Sequence, residues 1–88
     1  MLTVELSSRA WRDLESFPRD QAEAILDDLQ LLRFHPWPGP PKVKRLSGFP
    51  YFRLRTGNVR SIVTRADQTV IVLRIVARKD LDRVLKAL

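Results

Sequence analysis

The chain has no cysteine, one histidine, one methionine and one tyrosine in 88 residues. Without cysteine there is no disulfide framework, no thiolate nucleophile and no sulfur ligand for zinc, and the composition fits a reducing compartment. A single histidine excludes a histidine pair, either as acid and base or as metal ligands. His35 stands beside Pro36 where a helix should end, so it reads as a terminal cap or a surface residue. Asp27-Asp28 and Asp80 with Asp82 fall on helix surfaces and helix starts, where solvation and capping account for them. Neither a metal nor a cofactor is expected. Glycine is scarce, and no Gly-rich loop could cradle a nucleotide phosphate. No apolar run is longer than Val70-Ile71-Val72-Leu73, too short to span a bilayer, and Met1-Leu2-Thr3-Val4-Glu5 lacks a signal-peptide core. The expectation is a soluble, cytoplasmic protein with no membrane partner.

What the chain has in excess is positive charge. Sixteen Lys and Arg against ten Asp and Glu give a formal charge of +6, which draws nucleic acid, anionic surfaces or acidic proteins. A hydrophobic fraction of 44% is enough to build a core, and 88 residues leave room for one domain, 1–88.

Leu2, Val4 and Leu6 alternate with Thr3 and Glu5, the pattern of a half-buried strand. Ser7 and Ser8 follow as candidate N-caps for a helix bearing Ala10, Trp11 and Leu14 on one face. Phe17-Pro18 interrupts it, and Pro18 opens a second helix over Arg19 to Phe34. Ala22, Ile25, Leu26, Leu29 and Leu32 form its apolar stripe. The short connection predicts an antiparallel helical hairpin. A stiff proline connector, His35 to Pro41, leads into period-two patterning: strands at Val43–Leu46, Tyr51–Thr56, Val59–Arg65 and Thr69–Val76, the last almost wholly apolar. Asp80 is expected to cap a short final helix with Leu81, Val84, Leu85 and Leu88 on one side. The fold class is therefore α+β, order β-α-α-β-β-β-β-α, with a helical hairpin packed on a mainly antiparallel twisted sheet. Trp11 and Trp37 read as core or connector packing rather than base-stacking platforms.

The informative segment is Tyr51-Phe52-Arg53-Leu54-Arg55-Thr56-Gly57-Asn58-Val59-Arg60. Gly-Asn between strands suits a two-residue type II′ turn. Pairing across it sets Thr56 against Val59, Arg55 against Arg60, Leu54 against Ser61 and Arg53 against Ile62. Directly paired residues share a face, so Arg53, Arg55 and Arg60 lie together beside Tyr51, while Phe52 and Leu54 face the core. Like charges placed opposite one another destabilise a hairpin, and an anion between them reverses that effect; guanidinium forks match phosphate geometry. The alternative is a set of ordinary solvated charges. Arg78 and Lys79 end the apolar strand and could join this face, and Lys42, Lys44 and Arg45 form a second basic cluster.

Lys44-Arg45-Leu46-Ser47-Gly48, the Tyr51–Arg60 segment and Val72-Leu73-Arg74-Ile75-Val76-Ala77-Arg78-Lys79-Asp80, with Ser8-Arg9-Ala10 and His35-Pro36 before them, resemble the RelE/ParE toxin superfamily of type II toxin–antitoxin systems. The resemblance runs through nearly the whole chain. For a RelE-like member it implies a ribosome-dependent endoribonuclease that cuts mRNA in the A site without metal, by attack of the ribose 2′-OH on the adjacent phosphate. By position, Arg53 and Arg55 match two basic strand residues of that site. Arg60 matches the arginine that stabilises the developing phosphorane, and Arg78 the arginine after the last strand, with Lys79 as the alternative one position on. Lys42, Lys44, Arg45 and Lys79 would bind RNA. Relatives often carry a late tyrosine, or a histidine just before the strand-end arginine; here those places hold Leu85 and Ala77. A ParE-like member, with the same fold, would inhibit DNA gyrase and cut no RNA, and a non-toxic basic RNA-binding module is the third reading. The implied partners are an acidic antitoxin, in a toxin–antitoxin hetero-oligomer, and the ribosome with mRNA, or gyrase.

Overall fold

In the computed structural model, which describes residues 1–88, the opening alternation forms strand β1 (Thr3–Leu6). Helix α1 (Ser8–Glu15) starts where the Ser7 hydroxyl accepts from the Ala10 N–H at 3.0 Å, so Ser7 and not Ser8 is the cap. The same hydroxyl donates to the Leu73 carbonyl at 3.0 Å and ties the helix start to the sheet. Pro18, in extended conformation, precedes α2 (Arg19–Gln30). The expected helix to Phe34 instead tightens into a 3₁₀ turn, Leu31–Arg33, and Phe34 is extended at φ −119° and ψ 135°. The Trp37 indole N–H donates to the Leu32 carbonyl at 2.9 Å, satisfying a helix-end acceptor and drawing the connector back onto the core.

Strands β2 (Val43–Arg45), β3 (Phe52–Thr56), β4 (Val59–Ala66) and β5 (Thr69–Ala77) complete a sheet of order β1-β5-β4-β3-β2. Every pairing is antiparallel except β1 with β5. The turn between β3 and β4 pairs as expected, Arg55 opposite Arg60 and Thr56 opposite Val59. Gly57 alone in it takes a positive φ, +56°, which fits Gly at the first central position of a type II′ turn. After a 3₁₀ turn, Arg78–Asp80, comes helix α3 (Leu81–Ala87).

Two apolar clusters hold the sheet from opposite sides. Ala10 and Leu14 of α1 and Ile25 and Leu29 of α2 pack with Leu54, Val63, Val70, Val72 and Ile75 on one face. Val84 and Leu85 of α3 pack with Ile62 and Val76 on the other, with Phe49 and Tyr51 at the margin. The apolar stripe expected on α2 is the one that is buried or half-buried. No helix is long and apolar enough to cross a membrane.

Two further expectations change. Trp11 is 49% exposed, because the inward positions of this eight-residue helix are taken by Ala10, Leu14 and Asp13, leaving Trp11 on the flank. Asp80 makes no side-chain cap: the 3₁₀ turn already gives it helical dihedrals, and its carboxylate faces Arg83 at 3.4 Å.

Asp13 closes a gap in the sheet. The β1 pairing stops at Leu6 with Val72, so the last residues of β5 have no strand on that side. The Asp13 carboxylate accepts from the Ile75 N–H at 2.9 Å, and from Arg74 Nε and Nη2 at 2.7 and 3.2 Å. One side chain thus satisfies a backbone donor that would otherwise be orphaned and neutralises an arginine that is only 18% exposed. Asp13→Ala should destabilise the fold by about 2–3 kcal/mol, since it strands a largely buried cation. Arg74→Met in the Asp13→Ala background should recover part of that loss, as chemical denaturation of the single and double variants would show. Ser61 is fully buried and its hydroxyl lacks a partner, so Ser61→Ala should raise stability by about 1 kcal/mol in the same assay.

Candidate functional site

The β3–β4 turn and the end of β5 build the basic face. The register that sets Arg55 opposite Arg60, with Arg53 two positions away, places all three on one side of the sheet. Arg78 joins them from the 3₁₀ turn after β5, its backbone N–H donating to the Asn58 carbonyl at 2.7 Å. None of Arg53, Arg55, Arg60 or Arg78 has a carboxylate within ion-pair distance.

Arg60 is the unusual member, only 6% exposed. Its Nη1 donates to the Gly57 carbonyl at 2.8 Å and to the Val59 carbonyl at 3.1 Å, so the turn that creates the register also orients the guanidinium. Burial pushes its pKa below the ordinary arginine value, and the charges of Arg53, Arg55 and Arg78 push the same way. A lowered pKa on a cation means that the fold opposes the charge. The resulting cost to stability is present at every pH below the lowered pKa and is relieved only above it. A bound anion removes the same cost at neutral pH. Arg53 is steadied by a 3.0 Å bond from Nη1 to the Pro41 carbonyl, and Arg55 is exposed with its donors free.

The second basic cluster divides. Lys44 pairs directly with Arg53 and shares the face. Arg45 pairs with Phe52 on the opposite side, its guanidinium 5.8 Å from the Phe52 ring centre, so the structure does not bring it to this site. Lys42 lies in a cleft beside Arg55, but its ammonium is held by Asp28 of α2 at 2.6 Å. Asp28 also accepts from the Thr56 hydroxyl at 2.7 Å, linking α2 to both strands at one end of the β2–β3 pair. Sequence reasoning assigned Asp28 to a solvated helix surface; its place next to Leu29 of the stripe was the one hint that it would point partly inward. Lys79 is exposed beside Arg78 and lines a separate cleft with Asn58 and Asp82. His35 is far from this face, against Arg65 and Trp37. No three His, Cys, Asp or Glu side chains come together in a way that could hold a metal ion.

The assembled features are an α-helical pair on one side of a mixed five-stranded sheet, a short helix on the other, and four unpaired arginines around a hairpin turn. No protein-family model and no curated protein matches the chain. Among solved structures, the chain superposes with a TM-score of 0.74 on a chain of the archaeal RelE–RelB complex from Pyrococcus horikoshii, at 23% identity over 88% of this chain and 94% of that one. The RelBE2 toxin–antitoxin complex of Mycobacterium tuberculosis gives 0.70 at 27% identity, over 90% and 93%. The RelB–RelE complex of Methanococcus jannaschii gives 0.69 at 21%, over 93% and 95%. The fold is RelE-like. The likeness to these toxin–antitoxin complexes supports a place in the RelE-like toxin superfamily.

If an anion sits between Arg55 and Arg60, inorganic phosphate should raise the unfolding temperature of the native chain, and Arg55→Ala and Arg60→Met should each lose most of that rise. Differential scanning calorimetry checks it, and an equal rise in all three proteins would place the anion elsewhere. Without phosphate, Arg60→Met should unfold at the same temperature or higher, because it removes a buried unpaired charge.

Proposed function

We propose that the chain is the toxin of a type II toxin–antitoxin pair and that it cuts ribosome-bound mRNA at the face formed by Arg53, Arg55, Arg60 and Arg78. The observation that carries this is a cluster of four arginines without carboxylate partners, one of them buried and oriented by the turn beneath it. A protein gains nothing in stability from such a cluster; a phosphodiester does gain from it. The RelE-like fold supports the same reading, since the solved relatives are toxin–antitoxin complexes.

In this reading the ribose 2′-oxygen attacks the adjacent phosphorus. The new 2′-O–P bond forms as the P–O5′ bond breaks, leaving a cyclic phosphate and a free 5′-hydroxyl. Arg60, already oriented, donates to a phosphoryl oxygen as charge builds there, at no cost of reorganisation. Arg55 and Arg53 hold the phosphate and its neighbour, with Lys44 beside them, and Arg78 closes the far side. Arginine keeps its proton, and the face offers no imidazole or carboxylate. The chain therefore supplies electrostatic stabilisation; the 2′-OH proton passes to water or to a group of the ribosome, and the leaving 5′-oxygen takes a proton from the same sources. The partner that silences the toxin is an acidic antitoxin, drawn by the same charge.

Induced expression without the antitoxin should stop growth and leave messages cut within codons. Arg60→Ala should lower the cleavage rate about 10²–10³-fold, the loss typical of one fixed oxyanion donor. An Arg60→Ala protein as toxic as the native one would sink the mechanism. The lack of a proton acceptor on the face favours one second reading, a ParE-like gyrase inhibitor; purified protein that blocks supercoiling and leaves messages intact would decide for it.

A further inference from the structure

The tip of the β3–β4 turn is held by hydrogen bonds rather than by packing. A cleft of about 210 Å³ lies between α2, at Gln21 and Ala24, and the turn, at Gly57 and Asn58. A Cβ placed on Gly57 would meet no heavy atom within 4 Å. Two bonds tie the turn to its surroundings. The Asn58 carbonyl accepts from the Arg78 N–H at 2.7 Å, and the Thr56 hydroxyl donates to Asp28 Oδ2 at 2.7 Å. The second is the one hydrogen bond between α2 and the β3–β4 hairpin.

That bond sits one residue from the group that aims Arg60. Thr56 is followed by Gly57, whose carbonyl accepts from Arg60 Nη1 at 2.8 Å. The path from the helix to the buried guanidinium is therefore Asp28 Oδ2, Thr56 Oγ1, the Gly57 carbonyl and Arg60 Nη1. Lys42 Nζ donates to the same Asp28 oxygen at 2.6 Å, and the Lys42 carbonyl accepts from the Arg55 N–H at 2.8 Å. One carboxylate of a rigid helix thus clasps the start of β2 and the end of β3 together. Gly57, at φ +56°, lacks the steric restraint that other residues bring to a turn, so the direction of its carbonyl depends on how firmly Thr56 is held. Arg53, Arg55 and Arg78 repel Arg60, and a small swing of that carbonyl lets the guanidinium leave its place.

We infer that Asp28, acting through Thr56, is a positioning residue for Arg60. It touches no RNA; it fixes the turn so that Arg60 points at the phosphoryl oxygen before substrate arrives. For its effect on rate this rests on the ribonuclease reading, whereas its effect on the Arg60 side chain can be measured without cleavage.

The test uses Thr56→Val, which keeps the shape and removes the hydroxyl, together with Asp28→Ala and Thr56→Ser. Unfolding curves show that each variant is folded at the assay temperature, and Thr56→Val carries the test if Asp28→Ala is not. On programmed ribosomes, Thr56→Val and Asp28→Ala should lower kcat roughly 10- to 100-fold with KM nearly unchanged, and Thr56→Ser should keep most of the native rate. In an Arg60→Ala background Thr56→Val should cost no more than about twofold, because the group it positions is gone. A Thr56→Val protein with native kcat, or one that loses the same factor with Arg60 absent, overturns the inference and leaves the ribonuclease reading intact. Nitrogen-15 spectra of the arginine side chains give the second readout. Arg60, held by two carbonyls, should show slowly rotating guanidinium resonances in the native chain that average out in Thr56→Val. If they persist unchanged in Thr56→Val, the positioning role is wrong whatever the cleavage assay gives. A native chain that cuts no message ends the ribonuclease reading alone, and loss of the Arg60 resonances in Thr56→Val then still upholds the link from Asp28 to Arg60.

Discussion

Over its first five residues strand β4 has no side left to water. Val59 and Val63 lie under the helical layer with Ser61 between them, and Arg60 and Ile62 lie on the side of α3. A charged side chain survives in such a strand only if its donors find acceptors within reach. Arg60 finds them in the carbonyls of its own turn. The double covering of β4 therefore settles where the guanidinium points, and the position of the neighbouring arginines follows from the hairpin register. A strand with one face open to solvent would leave Arg60 free to wander among rotamers.

The electrostatics of the molecule divide along the same line. Two cations that join helices to the sheet are matched by carboxylates: Arg74 by Asp13, Lys42 by Asp28. On the face around the turn, Arg53, Arg55, Arg60 and Arg78 go unmatched. Arg74 and Lys42, which tie helices to the sheet, thus sit against carboxylates, whereas the buried Arg60 and its neighbours do not. Mutual repulsion at that face costs stability, a cost that an anion placed there would offset.

Much of this was legible in the sequence, for reasons of range. Gly57-Asn58 fixes the register of its own hairpin, so the sharing of a face by Arg53, Arg55 and Arg60 could be read within a ten-residue window. The α2 stripe is equally local. What escaped were contacts between residues far apart in the chain. Nothing near Asp13 announces that it meets Arg74, 61 positions on, and nothing near Asp28 announces Lys42. Arg45 follows Lys44 in sequence, but strand alternation sends it to the other face, over Phe52. Trp11 misled because size and apolarity suggest a core residue, whereas the inward face of a two-turn helix has few places and smaller residues fill them. Asp80 looked like a cap because composition cannot show that a 3₁₀ turn already leads into the helix.

The parallel pairing of β1 with β5 has a consequence for when the protein becomes competent. Thr3 meets Thr69 and Leu6 meets Val72, so an early strand must wait for a late one, while the β3–β4 hairpin can close from neighbouring residues alone. Long-range pairings of this kind slow folding because the chain loses loop entropy before the contacts reward it. Arg53, Arg55 and Arg60 come into register with the hairpin, but Arg78 and the cover over Ile62 arrive only with β5 and α3. A nascent chain thus carries an incomplete face until its last elements dock, so whatever chemistry that face performs starts only once β5 and α3 are in place.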